Sequence, residues 1–257
     1  MPMADAPDIF ADWRAVTSAR IGLGRAGQAV PTKAMLDFQI AHARARDAVH
    51  SALDTDALST ELNGDVVTVT SEATDRAIYL QNPSLGRRLA DPEALQPGDG
   101  DVVIVLADGL SATALQTHGA TIANRLKDEL RGWSVGPFVI ADQARVALGD
   151  DIGERMGAKV VIVLIGERPG LSAADSVGAY VTWAPKRGCP DSARNCVSNI
   201  RIPGGLPLER GAANIAWIVN RARELNQTGV GLKDRFADEA ALNVADTATN
   251  QIAGESE

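Results

Sequence analysis

A carboxylate at the end of an apolar run is the first residue whose position suggests chemistry. Glu167 follows directly on Val160–Ile165, inside Gly166-Glu167-Arg168-Pro169-Gly170-Leu171. An apolar run bounded by glycine reads as a strand covered on both faces, which puts Glu167 at the mouth of a sheet. There its oxygens can accept hydrogen bonds from the amides or hydroxyls of a ligand. The competing use is structural, a pair with Arg168 or a helix cap. Pro169 stiffens the turn while the two glycines leave it permissive, so Glu167 can be held in one pose.

Three further segments carry residues of the right type. Asp108-Gly109-Leu110-Ser111 ends the run Val102–Leu106, at the sheet edge where open α/β folds place ligands, yet Ser111 is equally an ordinary helix N-cap. No G-x-S-x-G surrounds it, which argues against a hydrolase nucleophile. Cys196, in Asn195-Cys196-Val197-Ser198-Asn199 ahead of Gly204 and Gly205, is either a soft side chain lining an apolar pocket or a buried structural thiol. Gly22, Gly24 and Gly27 match G-x-G-x-x-G, and Asp47 lies about twenty residues on, where a ribose-binding acid stands in dinucleotide sites. The context differs: WRAVTSARI before it holds no sustained apolar run, and Pro31 separates it from the next helix, so a flexible or interface-forming loop is the stronger reading. The gap between Cys189 and Cys196 does not match a zinc-binding pair, and His42, His50 and His118 lack a matching cysteine or acidic cluster, so no metal site is expected. D-x-H-x-x-G is absent.

The elements that must position these residues divide at Gln96–Asp101, QPGDGD, where Pro and Gly cluster. Before it, Pro31–Leu53 has helical spacing at Leu36, Ile40 and Ala43 with a charged opposite face, Val66–Thr70 is a short β-like run, and Asp75–Leu89 follows it. After it, strand and helix alternate. Val102–Leu106 is a strand, Leu115, Gly119, Ile122, Leu126 and Leu130 form one helical stripe, Phe138–Ile140 is a strand, Asp151–Met156 a helix and Val160–Ile165 a strand. Tyr180–Trp183 reads as an edge strand, and Glu209–Asn226 as a final helix stopped by Gly229. The expected class is α/β: a Rossmann-like, mostly parallel sheet flanked by helices in residues 98–232, preceded by a mainly helical region, 1–97, and followed by an acidic tail, 233–257, expected to be loosely held.

Composition narrows the functions. Of 257 residues 45% are hydrophobic and 23% charged, as in soluble globular chains, and aromatics are only 4%. No apolar run approaches the ~20 residues that cross a bilayer, and the first twenty residues lack a secretory pattern. The formal charge of −8 disfavours nucleic acid.

Taken together the chain resembles the small (light) subunit of ethanolamine ammonia-lyase, an adenosylcobalamin-dependent family. The resemblance rests on RIGLGRAGQAVPT from Arg20, YLQNPSLGRRL from Tyr79, VVIVLADGLSATAL from Val102, IGERMGAKVVIVLIGERPGL from Ile152 and CVSNIRIPGG from Cys196. It implies that a large subunit, a TIM-type barrel, holds ethanolamine, and that the small subunit closes over cobalamin between the two. The family's cofactor positions fall on Val146 in QARVAL, on Glu167 and on Cys196. The implied reaction is a radical conversion of ethanolamine to acetaldehyde and ammonia, with the cofactor carrying the chemistry and no catalytic residue on this chain. Lack of D-x-H-x-x-G fits a cobalamin that keeps its own dimethylbenzimidazole on cobalt. Some members bear a longer N-terminal extension associated with bacterial microcompartments; this chain starts almost at the shared core, so a cytoplasmic place is expected. The alternatives are a self-sufficient Rossmann-like nucleotide enzyme using the Gly22–Gly27 loop and a non-catalytic docking module.

Overall fold

The structure is a computed structural model describing residues 8–238. The elements before the predicted boundary are α1 (Ala11–Val16), α2 (Thr32–His50), α3 (Thr55–Thr60), β1 (Val66–Thr70) and α4 (Arg76–Gln81). After it come β2 (Val102–Ala107), α5 (Ala112–Glu129), β3 (Phe138–Asp142), α6 (Leu148–Arg155), β4 (Val160–Gly166), β5 (Val177–Trp183), β6 (Arg194–Ile200) and α7 (Leu208–Leu225). Side-chain caps fix several starts: Asp54 accepts from the Ala57 amide, Asp75 from Ile78 and Ser111 from Ala114, each satisfying a donor that a helix end leaves free.

All six strands form one sheet in the order β1-β3-β2-β4-β5-β6. The first four are parallel, whereas β5 pairs antiparallel with β4 and β6 antiparallel with β5. The sheet is therefore mixed, and the expectation of a mostly parallel Rossmann-like sheet holds in its coarser form, α/β with flanking helices. Tyr180–Trp183 lies within β5, an interior strand, because β6 takes the edge. The sequence reading missed β6, and β1, drawn from before the predicted boundary, pairs directly with β3.

Period-two alternation explains the layers. Ile104, Leu106, Ile140, Ile162, Leu164 and Val181 face α3, α5 and α7 in one core, while Val103, Val105, Val139, Val161 and Val163 face α6 in a second. Each fully buried Leu or Ile stabilises by about 1.5–3 kcal/mol. β2 and β4 are buried at every position, as strands covered on both faces must be. The layer over the second face is incomplete: β6 contributes Val197 and Ile200 to the first core and nothing to the second, so its alternate side chains face outward.

The N-terminal arm behaves differently. α1 buries none of its residues and α2 only Ala48. Leu36 and Ile40, a helical stripe by sequence, are exposed, as are Phe10, Trp13, Met35 and Phe38. Among the described residues no helix is long and apolar enough to cross a membrane. The acidic tail expected from residue 233 lies, after Asp238, outside the described residues.

Candidate functional site

The C-terminal ends of β2, β3 and β4 lie together. The chain leaves β2 toward α5 on one face and β3 toward α6 on the other, the switch at which open α/β sheets form a crevice. Two glycines let the ends approach. Gly109 has φ +58, and a Cβ there would stand 2.3 Å from the Gly166 carbonyl oxygen; a Cβ on Gly166 would stand 2.0 Å from that of Ser111. The Leu110 amide donates to Gly166 O at 2.9 Å. Ser111 caps α5 and donates its hydroxyl to Ala174 O at 2.8 Å, so its use is structural.

Glu167 follows immediately. Its Oε2 accepts from Ser176 Oγ at 2.8 Å and from the Asn199 amide at 3.1 Å. These bonds, rather than a pair with Arg168, fix its pose, and they tie the mouth of β4 to the end of β6. Its Oε1 lies over β5, where a Cβ at Gly178 would come within 3.0 Å.

The turn after β3 carries Val146. Asp108, 1% exposed at the end of β2, accepts from the Gly109 and Ala144 amides through Oδ1 and from Arg76 Nη1 through Oδ2, at 2.9, 2.8 and 3.0 Å. Burial pushes its carboxyl up to about 7, against the downward pull of the Ala144 amide and Arg76. Gln143, at φ 53, reverses the chain and Arg145 follows. Tyr79 sits beneath with its hydroxyl donating to Ala144 O at 3.0 Å and its ring between the guanidinium groups of Arg76 and Arg145, at 4.7 and 4.3 Å.

The third side is the outward face of β5 and β6, where Tyr180 and Cys196 are register partners. Cys196 is exposed, not a buried structural thiol. Crowding of its sulfur by neighbouring atoms raises the thiol pKa; the Tyr180 hydroxyl pulls it back and Glu167 raises it again. Burial, helped by Cys196 and Glu167, pushes the Tyr180 phenol up to about 12. Behind them Arg194 is buried against Asp150 at 2.5 Å, with Thr182 at 3.3 Å and Cys189 O at 2.8 Å.

Two adjoining cavities open here. One, of about 480 Å³, is lined by Tyr79, Gly109, Val146, Glu167, Arg168 and Tyr180 among others. The second, of about 240 Å³, is lined by Arg87, Val146, Tyr180, Arg194 and Cys196 among others, and Arg145 lines both. Val146, Glu167 and Cys196, named from separate segments, thus border two neighbouring cavities that share Arg145, Val146 and Tyr180 as lining. A larger cleft of about 820 Å³, bordered by Arg20, Arg44 and Arg201, separates α2 from the loop after β4 and touches none of the three. Gly22, Gly24 and Gly27 all take positive φ in the exposed loop before α2, far in sequence from any strand, so the loop lacks dinucleotide context. The described residues hold no cluster able to bind a metal ion. Sequence reasoning missed Tyr79, Arg145 and Tyr180. A signal existed: the chain has two tyrosines, and both border the larger of these adjoining cavities.

The family described as ethanolamine ammonia-lyase light chain matches residues 7–233. The chain belongs to that family. It is 50% identical over 242 residues to an ethanolamine ammonia-lyase small subunit of Rhodopseudomonas palustris, covering 90% of this chain and 92% of that one. The small subunit from Rhodococcus erythropolis is 47% identical over 241 residues, with 92% and 94% covered. That from Pseudomonas fluorescens is 46% identical over 246 residues, with 91% and 89% covered. Membership makes this chain the small subunit of a lyase that acts with a large subunit, and favours neither a nucleotide enzyme nor a stand-alone docking module.

Proposed function

We propose that this light chain completes an adenosylcobalamin site jointly with the large subunit, for conversion of ethanolamine to acetaldehyde and ammonia. The observation that carries the reading is the pair of adjoining cavities: Val146, Glu167 and Cys196 border them at the sheet's switch point. The cavity chemistry suits a large ligand with an amide-rich rim. Drug-sized ligands already need about 300–1,000 Å³, so an open hollow of about 480 Å³ serves a corrinoid as one wall and leaves the rest to a partner. A buried, unpartnered Gln143 Oε1 lies at the turn, an acceptor for such a rim.

In this reading Glu167 accepts hydrogen bonds from peripheral amides, while Val146 and Cys196 give close, largely apolar contact. The bound cofactor supplies the radical that starts the rearrangement. This chain's residues orient it and keep water out. The parallel part of the sheet, β2, β3 and β4 within residues 98–232 joined by β1 from before them, plays the Rossmann-like part, in the cytoplasm. The exposed side chains of Trp13, Met35, Leu36, Phe38 and Ile40 supply the apolar surface that the large subunit covers. Purified chain mixed with large subunit and adenosylcobalamin should release ammonia from ethanolamine, and Glu167→Ala should shift the cobalamin titration more than the ethanolamine KM. Activity no higher than the large subunit alone would defeat the reading.

A further inference from the structure

The mouth carries more positive charge than its own acids neutralise, on a chain whose formal charge is −8. The arginines bordering the two cavities are Arg87, Arg145, Arg168 and Arg194; the acids are Glu167 and Asp191. Arg194 is taken up by Asp150 and by Asp191, at 3.5 Å, and Glu167 by Ser176 and the Asn199 amide. Among the described residues no carboxylate stands within ion-pair distance of Arg87, Arg145 or Arg168.

Arg145 is the preorganised member. Its backbone amide donates to Gly86 O at 2.7 Å, and its guanidinium carbon lies 4.3 Å from the Tyr79 ring centre. A Cβ on Gly86 would stand 2.9 Å from both Arg145 Cγ and the Tyr79 ring, so only glycine leaves room for that pose. The side chain is thereby held, yet its guanidinium donates to no protein acceptor among the described residues and its Nε is buried without a partner. A fixed planar fork with free donors matches a phosphate oxygen pair better than a neutral amide. The periphery of a complete cobalamin is otherwise amide, and its one fixed anion is the phosphodiester of the nucleotide loop.

We infer that Arg145, with Arg87 beside it in the smaller cavity, seats the nucleotide-loop phosphodiester of the corrinoid, a contact that rests on the corrinoid reading above. The test uses the reconstituted two-subunit complex and spectroscopic titration with adenosylcobalamin and with adenosylcobinamide, which keeps the corrin and lacks the nucleotide loop. Arg145→Gln should weaken cobalamin binding by about tenfold to a hundredfold, the range for a lost charge-assisted bond, and change cobinamide binding by less than about twofold. Arg87→Ala, at an exposed residue that the fold does not need, should weaken cobalamin alone by about threefold. Arg145→Lys should recover part of the loss, and added salt should weaken the wild-type complex more than Arg145→Gln. Equal losses for both ligands, or no loss for either, would overturn the inference while leaving the corrinoid reading intact. A wild-type complex that binds neither corrinoid would instead sink that reading. Inorganic phosphate at constant ionic strength should compete only weakly; tight phosphate binding abolished by Arg145→Gln would mark a free-anion site and overturn the corrinoid assignment.

Discussion

Replacing Arg76 by methionine should destabilise the chain by an amount that depends on pH. Arg76 is 14% exposed along its side chain and holds Asp108, whose side chain is 2% exposed, at 3.0 Å, while its Nε and Nη1 also donate to Val49 O and Gly109 O at 2.7 and 2.8 Å. Asp108 titrates near 7 in the folded chain, against about 3.9 when unfolded. Because the folded value is the higher one, this group's contribution to stability is complete below about pH 4 and is lost as pH rises through about 7. At pH 8 Arg76→Met strands a buried carboxylate, which costs about 3 kcal/mol. At pH 5 the carboxyl is already protonated and that charge penalty is absent, leaving only the lost hydrogen bonds, about 1 kcal/mol each at either pH. Urea denaturation followed by far-UV circular dichroism at the two pH values measures the difference, and Arg76→Met with Asp108→Asn should recover most of the pH 8 loss. Equal destabilisation at pH 5 and pH 8 would refute the argument, because it would show that no charge is stranded.

Glu167→Gln keeps an acceptor for Ser176 and the Asn199 amide, so it should cost under about 1 kcal/mol, whereas Glu167→Ala should cost about 1–3 kcal/mol in the same urea assay. Gly109→Ala, with φ +58 and a Cβ 2.3 Å from Gly166 O, should cost about 3 kcal/mol or more. Gly132→Ala, with φ +81 and nothing within 4 Å, should cost only the backbone strain of about 1–2 kcal/mol, and thermal melts of the two variants would separate clash from strain. Alkylation of Cys196 by iodoacetamide should be slower at neutral pH than that of a free thiol, and Tyr180→Phe should slow it further by removing the group that lowers its pKa. Leu36→Ser with Phe38→Ser should leave the melt of the isolated chain within about 0.5 kcal/mol of wild type and reduce co-elution with the large subunit.

The strands that the sequence makes plain are those buried on two sides. Val102–Ala107 and Val160–Gly166 are continuous apolar runs because helices cover both faces. β6 escapes because only Arg194, Val197 and Ile200 are buried in Arg194–Ile200, leaving polar residues at the positions that face outward. The same incompleteness disguised β5 as an edge. In α2 the stripe containing Leu36 and Ile40 has the spacing of a core face, and periodicity cannot say whether the core belongs to the same chain. Glu167 was legible because its strand points it at the mouth. Arg145 was not: an arginine in a turn reads as solvated surface, and its fixed pose arises from Tyr79 and Gly86, which belong to another segment.

The buried carboxylate of Asp108 links stability to the site. Its bond to the Ala144 amide sets the height of the turn, and the next two residues are Arg145 and Val146. Arg76 supports the same turn from below through Asp108 and the Tyr79 ring. Loosening this post should therefore move the proposed cofactor wall before it unfolds the sheet, since the strands beneath rest on two separate cores. At a pH where Arg76→Met is still fully folded, corrinoid affinity should already have fallen, while the melt of the parallel strands stays cooperative. A variant that lost affinity only in step with its unfolded fraction would show that the turn and the sheet are one cooperative unit, and that Asp108 supports the fold alone.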